Sequence, residues 1–333
     1  MEWNQFIKKI EEEVQFFMGE TATVGAISVM KNNGVMLQGI IIKEEGMNAG
    51  PTIYLNDYYE ALKEGRQLQE IVSDIMAVYE NNKIQDHIDI SFFSDFARVK
   101  DRISCKLIQY EQNKELLEQV PYMHFLDLAI VFYYPFESEV LKNAAILIYH
   151  KYLKQWEITT EELYAIAAAN TPRIMPPQIQ HIDDMMKEMF AYHIEKDWQD
   201  SISRNLYPKQ EHTIEINNEW TQEVAGQMME ALQTEGERIP MYVLSNQERI
   251  YGATCVLYPG LLEEFSKELG CSLWILPSSV HEVILIPDQG GEDVEKLKKM
   301  VSEINRTQVE EEEVLSDSVY YFDQLTKKID YLT

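Results

Sequence analysis

The pattern of apolar and polar residues divides the chain into segments with helical spacing and segments with strand-like composition. Near the start, apolar side chains such as Phe6, Ile10 and Val14 lie four positions apart with acids between them. This spacing predicts an amphipathic helix over residues 2–18. The other segments that the pattern predicts to be helical are residues 56–64, 67–81, 91–118, 159–169, 177–190, 218–232, 261–269 and 294–304.

Strand-like runs are rich in β-branched and aromatic residues and are bounded by turn residues. Residues 22–30 and 35–43 flank a Lys-Asn-Asn-Gly turn, which predicts a β-hairpin. The other predicted strands are residues 52–55, 125–134, 144–149, 241–245, 252–258, 273–276, 280–287 and 319–322. Because neighbouring hairpins and short connections dominate, we expect antiparallel or mixed sheets with helices packed on one side, which is an α+β fold.

The distribution of these elements predicts three regions. Residues 1–172 contain strands and helices and form an N-terminal α+β region. Residues 173–238 have few strand-like runs and are expected to be a helical connector. Residues 239–333 alternate short strands with two helices and form a compact C-terminal α+β domain.

Composition places the chain among globular proteins. It has 333 residues, of which 45% are hydrophobic and 26% charged. No apolar run is long enough to span a bilayer, and the first residues lack the apolar stretch of a signal peptide. The three cysteines are too scattered for a disulfide framework. We therefore expect a cytoplasmic protein with reduced thiols and no membrane contact.

The formal net charge of −27 narrows the choice of partners. Such a charge repels nucleic acid phosphates, so no direct nucleic acid binding is expected. A protein partner is expected instead. One version is an inhibitor-like or immunity-like protein whose acidic face covers a basic enzyme; the alternative is an acidic protein with solvated faces.

Residues 276–287 bring together the groups most able to do chemistry. Two strand-like runs are joined by a polar turn that contains hydroxyls, an imidazole and a carboxylate. A hydrolase would use Ser279 as nucleophile and His281 as base, with Asp317 or Asp288 behind it. The competing interpretation is a hairpin turn whose hydroxyls satisfy backbone amides. The candidate catalytic residues are Ser278, Ser279, His281, Glu282 and Asp317.

A second group of candidates would bind rather than react. Arg98, Arg102 and Lys106 are spaced four apart on a predicted helix and could bind an anionic ligand, or could pair with nearby acids. Tyr54, Tyr58 and Tyr59, with Asn56 and Asp57 between them, could line a pocket or pack at the edge of the core. A predicted Met-rich helix could offer a binding groove or fill the core; its methionines are Met175, Met185, Met186 and Met189.

Signatures of metals and cofactors are missing from the sequence. The seven histidines lack ligand spacing, and the nearest group, His181 with Asp183 and Asp184, is more typical of a solvated helix face. Neither of the glycine-rich phosphate-binding motifs occurs. We therefore expect no metal and no cofactor.

Several short segments of the chain carry a family resemblance. They read YLNDYY at 54–59, DF at 95–96, VKDR at 99–102, FLDLA at 125–129, NTPR at 170–173, YVLSN at 242–246, YGA at 251–253, LYPGLL at 257–262, LPSSVHEV at 276–283 and LSDSVY at 315–320. These segments resemble a family of uncharacterised bacterial proteins, a domain of unknown function common in anaerobic gut bacteria. The resemblance covers nearly the whole chain and implies no activity, cofactor or catalytic residue.

Three hypotheses of function follow from the sequence. The first is a non-enzymatic binding or interaction protein with an acidic surface, because no complete catalytic constellation is recognisable. The second is a hydrolase-type enzyme centred on Ser279 and His281. The third is a homo-oligomeric scaffold, which would show an exposed apolar patch. The sequence predicts no oligomeric state.

Overall fold

The computed structural model describes residues 1–84, 87–136, 144–187, 240–277, 279–291 and 293–332. The fold class is α+β, as predicted, and the strands form three antiparallel sheets. The helices are α1 (Trp3–Met18), α2 (Asn56–Lys63), α3 (Leu68–Asn82), α4 (Phe96–Val99), α5 (Lys114–Leu117), α6 (His150–Trp156), α7 (Thr160–Ile174), α8 (Leu261–Leu269) and α9 (Val294–Gln308). The strands are β1 (Ala22–Met30), β2 (Met36–Glu44), β3 (Thr52–Tyr54), β4 (Ser104–Gln109), β5 (Tyr122–Phe125), β6 (Leu128–Phe136), β7 (Ala144–Leu147), β8 (Pro177–His181), β9 (Tyr242–Asn246), β10 (Leu273–Leu276), β11 (Val283–Pro287), β12 (Val319–Asp323) and β13 (Lys328–Leu332).

The chain divides into two compact units. Unit 1 comprises Met1–Ile174 and Gln308–Ser316, and unit 2 comprises Met175–Thr307 and Asp317–Thr333. Residues 188–239, which make up most of the predicted connector and include Met189, lie outside the described residues.

The first sheet of unit 1 confirms the predicted helix and hairpin. Its strand order is β1-β2-β3, and α1 packs on β1 and α3. Phe6, Ile10 and Val14 are fully buried in a core that also contains Ile40 of β2 and Ile75 of α3. The helical spacing of these apolar residues is therefore explained by one buried face.

A buried network joins the hairpin turn to two other segments of unit 1. The Asn33 backbone N–H donates to Asn113 Oδ1 at 2.9 Å, and Asn113 Nδ2 donates to Asn33 Oδ1 at 2.9 Å. Asn33 Nδ2 donates to the carbonyl oxygens of Glu311 at 2.9 Å and Val314 at 2.7 Å. The Asn33 side chain thus bonds two carbonyl oxygens of the segment 308–316.

The predicted helix over residues 91–118 is wrong. Short helical turns end at Arg102, and β4 then pairs with β6 along its whole length. Val99, Ile103 and Leu107 do lie four apart, but a short strand that is buried on both faces has no polar alternation. Apolar spacing alone cannot separate such a strand from a buried helix.

Helix α7 confirms one local prediction and corrects another. Its capping box is formed, because the Glu162 N–H donates to Thr159 Oγ1 at 3.2 Å and the Thr159 N–H donates to Glu162 Oε2 at 2.8 Å. The helix does not end near residue 169 but continues through Pro172 to Ile174. Thr171 Oγ1 accepts a hydrogen bond from the buried Cys105 N–H at 3.1 Å, so tertiary contacts outweigh the local stop signal.

The six-stranded sheet of unit 2 has the order β13-β12-β10-β11-β9-β8. Strand β8 corrects the prediction that residues 177–190 are helical, because Pro177–His181 pairs with β9. Helical structure begins only at residue 182 and contains Met185 and Met186. The prolines are tolerated because β8 lies at the sheet edge. Strand β13, at the opposite edge, was not predicted.

Residues 252–258 are also corrected, from a strand to a 3₁₀ helix, Gly252–Leu257. Five of its six residues are buried, so no polar position reveals the helical period. Helix α8 ends as predicted, with Gly270 in the left-handed conformation at φ 75°. In the part of the chain that the structure describes, no helix is both long and apolar enough to cross a membrane.

Candidate functional site

The segment 276–287 forms the predicted hairpin of β10 and β11. Its polar residues lie in the loop between these two strands and not on β11. Leu276 at the end of β10 pairs with Ile284 of β11. Ser279, His281 and Glu282 precede β11, while Ser278 lies outside the described residues. The alternation of faces expected for a strand therefore does not determine where Ser279 and His281 point.

The hydroxyl and the imidazole of this loop both accept hydrogen bonds from the main chain. Ser279 Oγ accepts from the His281 backbone N–H at 3.1 Å. His281 Nδ1 accepts from the Tyr251 N–H at 3.3 Å, and its ring stacks on the Tyr251 ring at 5.8 Å between centroids and 12° between planes. A Ser-His nucleophile pair instead needs a hydroxyl that donates to the imidazole.

The same loop is docked on the start of the 3₁₀ helix. Ser245 Oγ donates to the His281 carbonyl oxygen at 2.8 Å, and the Ala253 N–H donates to the Val280 carbonyl oxygen at 3.3 Å. Gly252 lies between these groups, and a Cβ atom there would stand 2.1 Å from Ser245 Oγ and 2.5 Å from the His281 oxygen. We call this arrangement of residues 245, 251–253 and 279–281 the loop clasp.

The acids that could complete a triad are bonded to other groups. Asp317 Oδ1 accepts from Asn305 Nδ2 at 2.8 Å. Asp288 Oδ2 accepts from the Tyr321 hydroxyl at 2.7 Å. Glu282 is half-buried beside the loop clasp. The geometry therefore favours the hairpin-turn interpretation over the catalytic one.

The basic stripe of Arg98, Arg102 and Lys106 does not exist as one helical face. Arg98 lies on α4, Arg102 in a 3₁₀ turn and Lys106 on β4. Both guanidinium groups lie over aromatic rings: Arg98 is 5.7 Å from the centroid of Phe92 and Arg102 is 5.8 Å from that of Tyr134. Cation–π contacts therefore hold these two arginines.

The tyrosines of the predicted cluster have different surroundings. Lys31 Nζ lies 4.3 Å above the ring of Tyr54, and Tyr58 is half-buried, which raises its pKa through desolvation. Of the three clustered tyrosines, Tyr59 lines a depression of about 230 Å³, whereas Tyr54 and Tyr58 do not. Its lining residues are Trp3, Asn56, Asp57, Tyr59 and Glu60.

A larger depression of about 680 Å³ in unit 1 was not predicted. Its walls are mostly exposed, and they come from the end of α5, helix α6 and the start of α7, so no contiguous motif could have revealed it. The lining residues are Glu118, Gln119, His150, Leu153, Lys154, Glu157, Ile158 and Thr159. Its walls carry both acidic and basic side chains.

Within the part of the chain that the structure describes, no three or more side chains of His, Cys, Asp or Glu are grouped so that they could hold a metal ion. His181 Nδ1 accepts a hydrogen bond from the Asp183 N–H at 3.2 Å. The three cysteines are free thiols. Burial raises the pKa of Cys105 to about 11 and that of Cys255 to about 12.

These pKa shifts predict the reactivity of the thiols. The thiolate is the reactive form, so raised pKa values keep Cys105 and Cys255 protonated and unreactive near pH 8. Cys271 is only half-buried and is expected to react first with a thiol reagent. Titration of the native chain should give one fast thiol, and titration in denaturant should give three. Fast reaction of a Cys271→Ser variant would contradict this assignment.

The fold and the loop clasp define an α+β protein in which Ser279 Oγ and His281 Nδ1 accept hydrogen bonds from the main chain. Residues 3–324 match the model of a family of unknown function, DUF5688, so the chain belongs to that family. No match was found among curated proteins or among solved structures. The family supplies no activity, so function must be inferred from the surface.

Proposed function

We propose that the protein is a non-enzymatic interaction protein of the cytoplasm that binds a basic protein through its acidic surface. One observation carries the proposal. The chain has 56 acidic and 29 basic side chains, and no charged side chain is buried among the described residues. At least 27 carboxylates therefore have no lysine or arginine of their own to pair with.

The longest acidic run is presented by an anchored turn. Glu310 to Glu313 follow α9, and the backbone of this segment is bonded by Asn32 and Asn33. These bonds use main-chain carbonyl oxygens and not the carboxylate groups. A fixed backbone lowers the entropy lost when a partner binds.

A basic partner fits this surface better than nucleic acid does, because phosphates would be repelled. An inhibitor-like or immunity-like role, in which the acidic face covers a basic enzyme, is the specific form that we favour. Charge complementarity of this kind raises association rates more than it raises intrinsic affinity.

Salt dependence provides the test. The full chain should capture a basic protein from its own cells, and the purified pair should then be titrated between about 0.1 M and about 1 M salt, where the Debye length falls from about 10 Å to about 3 Å. We expect the affinity to fall steeply over this range. A complex of unchanged affinity, or a partner without basic character, would refute binding through charge.

A double variant, Glu310→Gln and Glu311→Gln, locates the surface. It removes two exposed carboxylates and retains every backbone bond of the turn. The matched control is Glu264→Gln with Glu268→Gln, two exposed residues on α8 of unit 2. Weaker binding of the first variant alone would place the partner at the acidic turn, while equal loss in both would indicate a general charge effect.

The hydrolase alternative is tested separately. Ser279→Ala removes the hydroxyl that accepts from the His281 N–H, and we expect no change in turnover of esters, phosphoesters or peptides because we expect none in the unmodified chain. Turnover that disappears in this variant would overturn the non-enzymatic assignment.

A further inference from the structure

Strand β1 is an edge of its sheet, and half of that edge is closed by one side chain. Among the described strands, β1 pairs only with β2. Gln15 of α1 covers its beginning: Gln15 Nε2 donates to the Ala22 carbonyl oxygen at 3.0 Å, and the Val24 N–H donates to Gln15 Oε1 at 2.9 Å. Because bonding direction alternates along a strand, Ala22, Val24, Ala26 and Ser28 all direct their backbone groups toward this edge.

The second half of the edge, residues 26–30, lacks the usual protection against pairing. It contains no charged residue and no proline, and its register with β2 runs without a bulge to Met30 opposite Met36. Natural proteins normally protect an edge strand with charged residues, prolines, bulges or a covering element. Ala26, Ile27 and Ser28 are all exposed.

Large apolar side chains are concentrated around this open edge. Of the ten exposed large hydrophobic residues in the described part of the chain, five lie within residues 16–36. Phe16, at the end of α1, is 82% exposed and follows Gln15 directly. The other four are Phe17, Ile27, Met30 and Met36.

We propose that two copies of the chain pair antiparallel through residues 26–30 of β1 to form a symmetric dimer. The register places Ser28 opposite Ser28 and Ala26 opposite Met30, so that outward backbone groups meet. It also places Ile27 opposite Val29 on the sheet face that points away from the core. The segment is therefore complementary to itself, as a two-fold interface requires.

Charge restricts where two copies of the chain can meet, and this edge satisfies the restriction. Each copy carries a formal charge of −27, so most pairs of surfaces would bring carboxylates together. Like charges in opposition are unfavourable across an interface. The edge of β1 offers nine consecutive uncharged residues, Ala22–Met30. This proposal does not depend on the basic partner proposed above.

Concentration-dependent association of the full chain is the first measurement. Sedimentation velocity should show a monomer–dimer equilibrium in the unmodified chain. Ser28→Pro removes an outward N–H without breaking the β1–β2 ladder and should weaken the dimer by at least about tenfold, equal to about 1.4 kcal/mol. Ser28→Thr keeps the N–H and should still dimerise. Thermal melting of both variants shows whether unit 1 has kept its fold.

A cysteine trap tests the register directly. Opposed residues in a hydrogen-bonded antiparallel pair have Cα atoms about 5.5 Å apart, within the disulfide range of about 4.4–6.8 Å. Ser28→Cys should therefore form a covalent dimer under mild oxidation. Thr23→Cys, which is also exposed on β1, should not, because its copies lie far apart in this register. The unmodified chain measures any background from Cys271.

The outcomes decide the proposal in either direction. A dimer that Ser28→Pro weakens, together with selective trapping at Ser28→Cys, supports it. A monomer at every concentration, or equal trapping at both cysteine positions, overturns it. If the chain is monomeric, the open edge of β1 would instead be available to an extended segment of a different protein.

Discussion

Replacing Gly252 with alanine is expected to destabilise unit 2 by about 3 kcal/mol, the range of severe overpacking. The added Cβ would stand 2.1 Å from Ser245 Oγ, 2.5 Å from the His281 carbonyl oxygen and 2.8 Å from the Asn246 nitrogen. The serine hydroxyl can rotate away, but the other two atoms belong to the backbone. Relief therefore requires the loop that contains His281 to move off the 3₁₀ helix.

Gly25 provides the matched control for this variant. Like Gly252, it has no positive φ, but a Cβ there would meet only Ile41 Cγ2 at 4.0 Å. Gly25→Ala is therefore expected to leave stability unchanged or to raise it slightly, since alanine loses less backbone entropy on folding. Urea denaturation of both variants measures the difference. Equal stability of the two would show that the loop clasp is loose.

Gly252→Ala, together with His281→Ala, also distinguishes the catalytic interpretation of residues 276–287 from the hairpin-turn interpretation. If His281 is a framework residue, Gly252→Ala and His281→Ala should both lower the free energy of unfolding, because they disrupt the same docking contact. A catalytic His281 would tolerate removal without loss of stability. The contact of the His281 Nδ1 with the Tyr251 N–H predicts the first result.

Elements with one polar and one apolar face were predictable from the sequence. Helix α1 and the β1–β2 hairpin each bury one side, so the spacing of their apolar residues indicated the type of element. Strand β4 and the 3₁₀ helix Gly252–Leu257 are buried almost throughout, and their sequences show only that they are apolar. Strand β8 was missed for another reason: its pairing partner, β9, lies far along the chain.

The sequence predicted which residues belong to the candidate site, but not which groups their side chains bond. Residue types and the hairpin around Ser279 and His281 followed from the sequence, and the structure confirms the hairpin. The hydrogen bonds of His281 depend on Tyr251 and Ser245, which precede it by 30 and 36 positions in the chain, so the local sequence could not reveal them. The open edge of β1 was hidden for a similar reason, because its partial closure depends on the Gln15 side chain.

The network around Asn33 leads to the second large effect. Asn33 has a left-handed backbone at φ 59°, and its side chain donates to two carbonyl oxygens of the segment that follows α9. It also accepts from Asn113, which is itself buried. Each net hydrogen bond contributes about 1 kcal/mol, and buried groups left without a partner add to the loss.

Asn33→Ala is therefore expected to lower the free energy of unfolding of unit 1 by about 3 kcal/mol, because it combines lost bonds with a strained left-handed alanine. Asn33→Gly loses the same side chain but relieves the strain, so it should be milder by about 1 kcal/mol. Denaturation of the two variants separates backbone strain from side-chain bonding. Equal losses of stability in the two variants would show that the left-handed backbone at residue 33 adds little strain to the alanine variant.

Both variants should also change the acidic turn, since Glu311 and Val314 lose the side chain that holds their carbonyl oxygens. Hydrogen exchange of residues 308–316 should accelerate in Asn33→Gly, even under conditions where the rest of unit 1 remains folded. If the acidic turn is the binding surface, the partner should then associate at a similar rate, because the charge is unchanged. It should dissociate faster, because the turn must be ordered again on binding. An unchanged dissociation rate would place the partner on another acidic face.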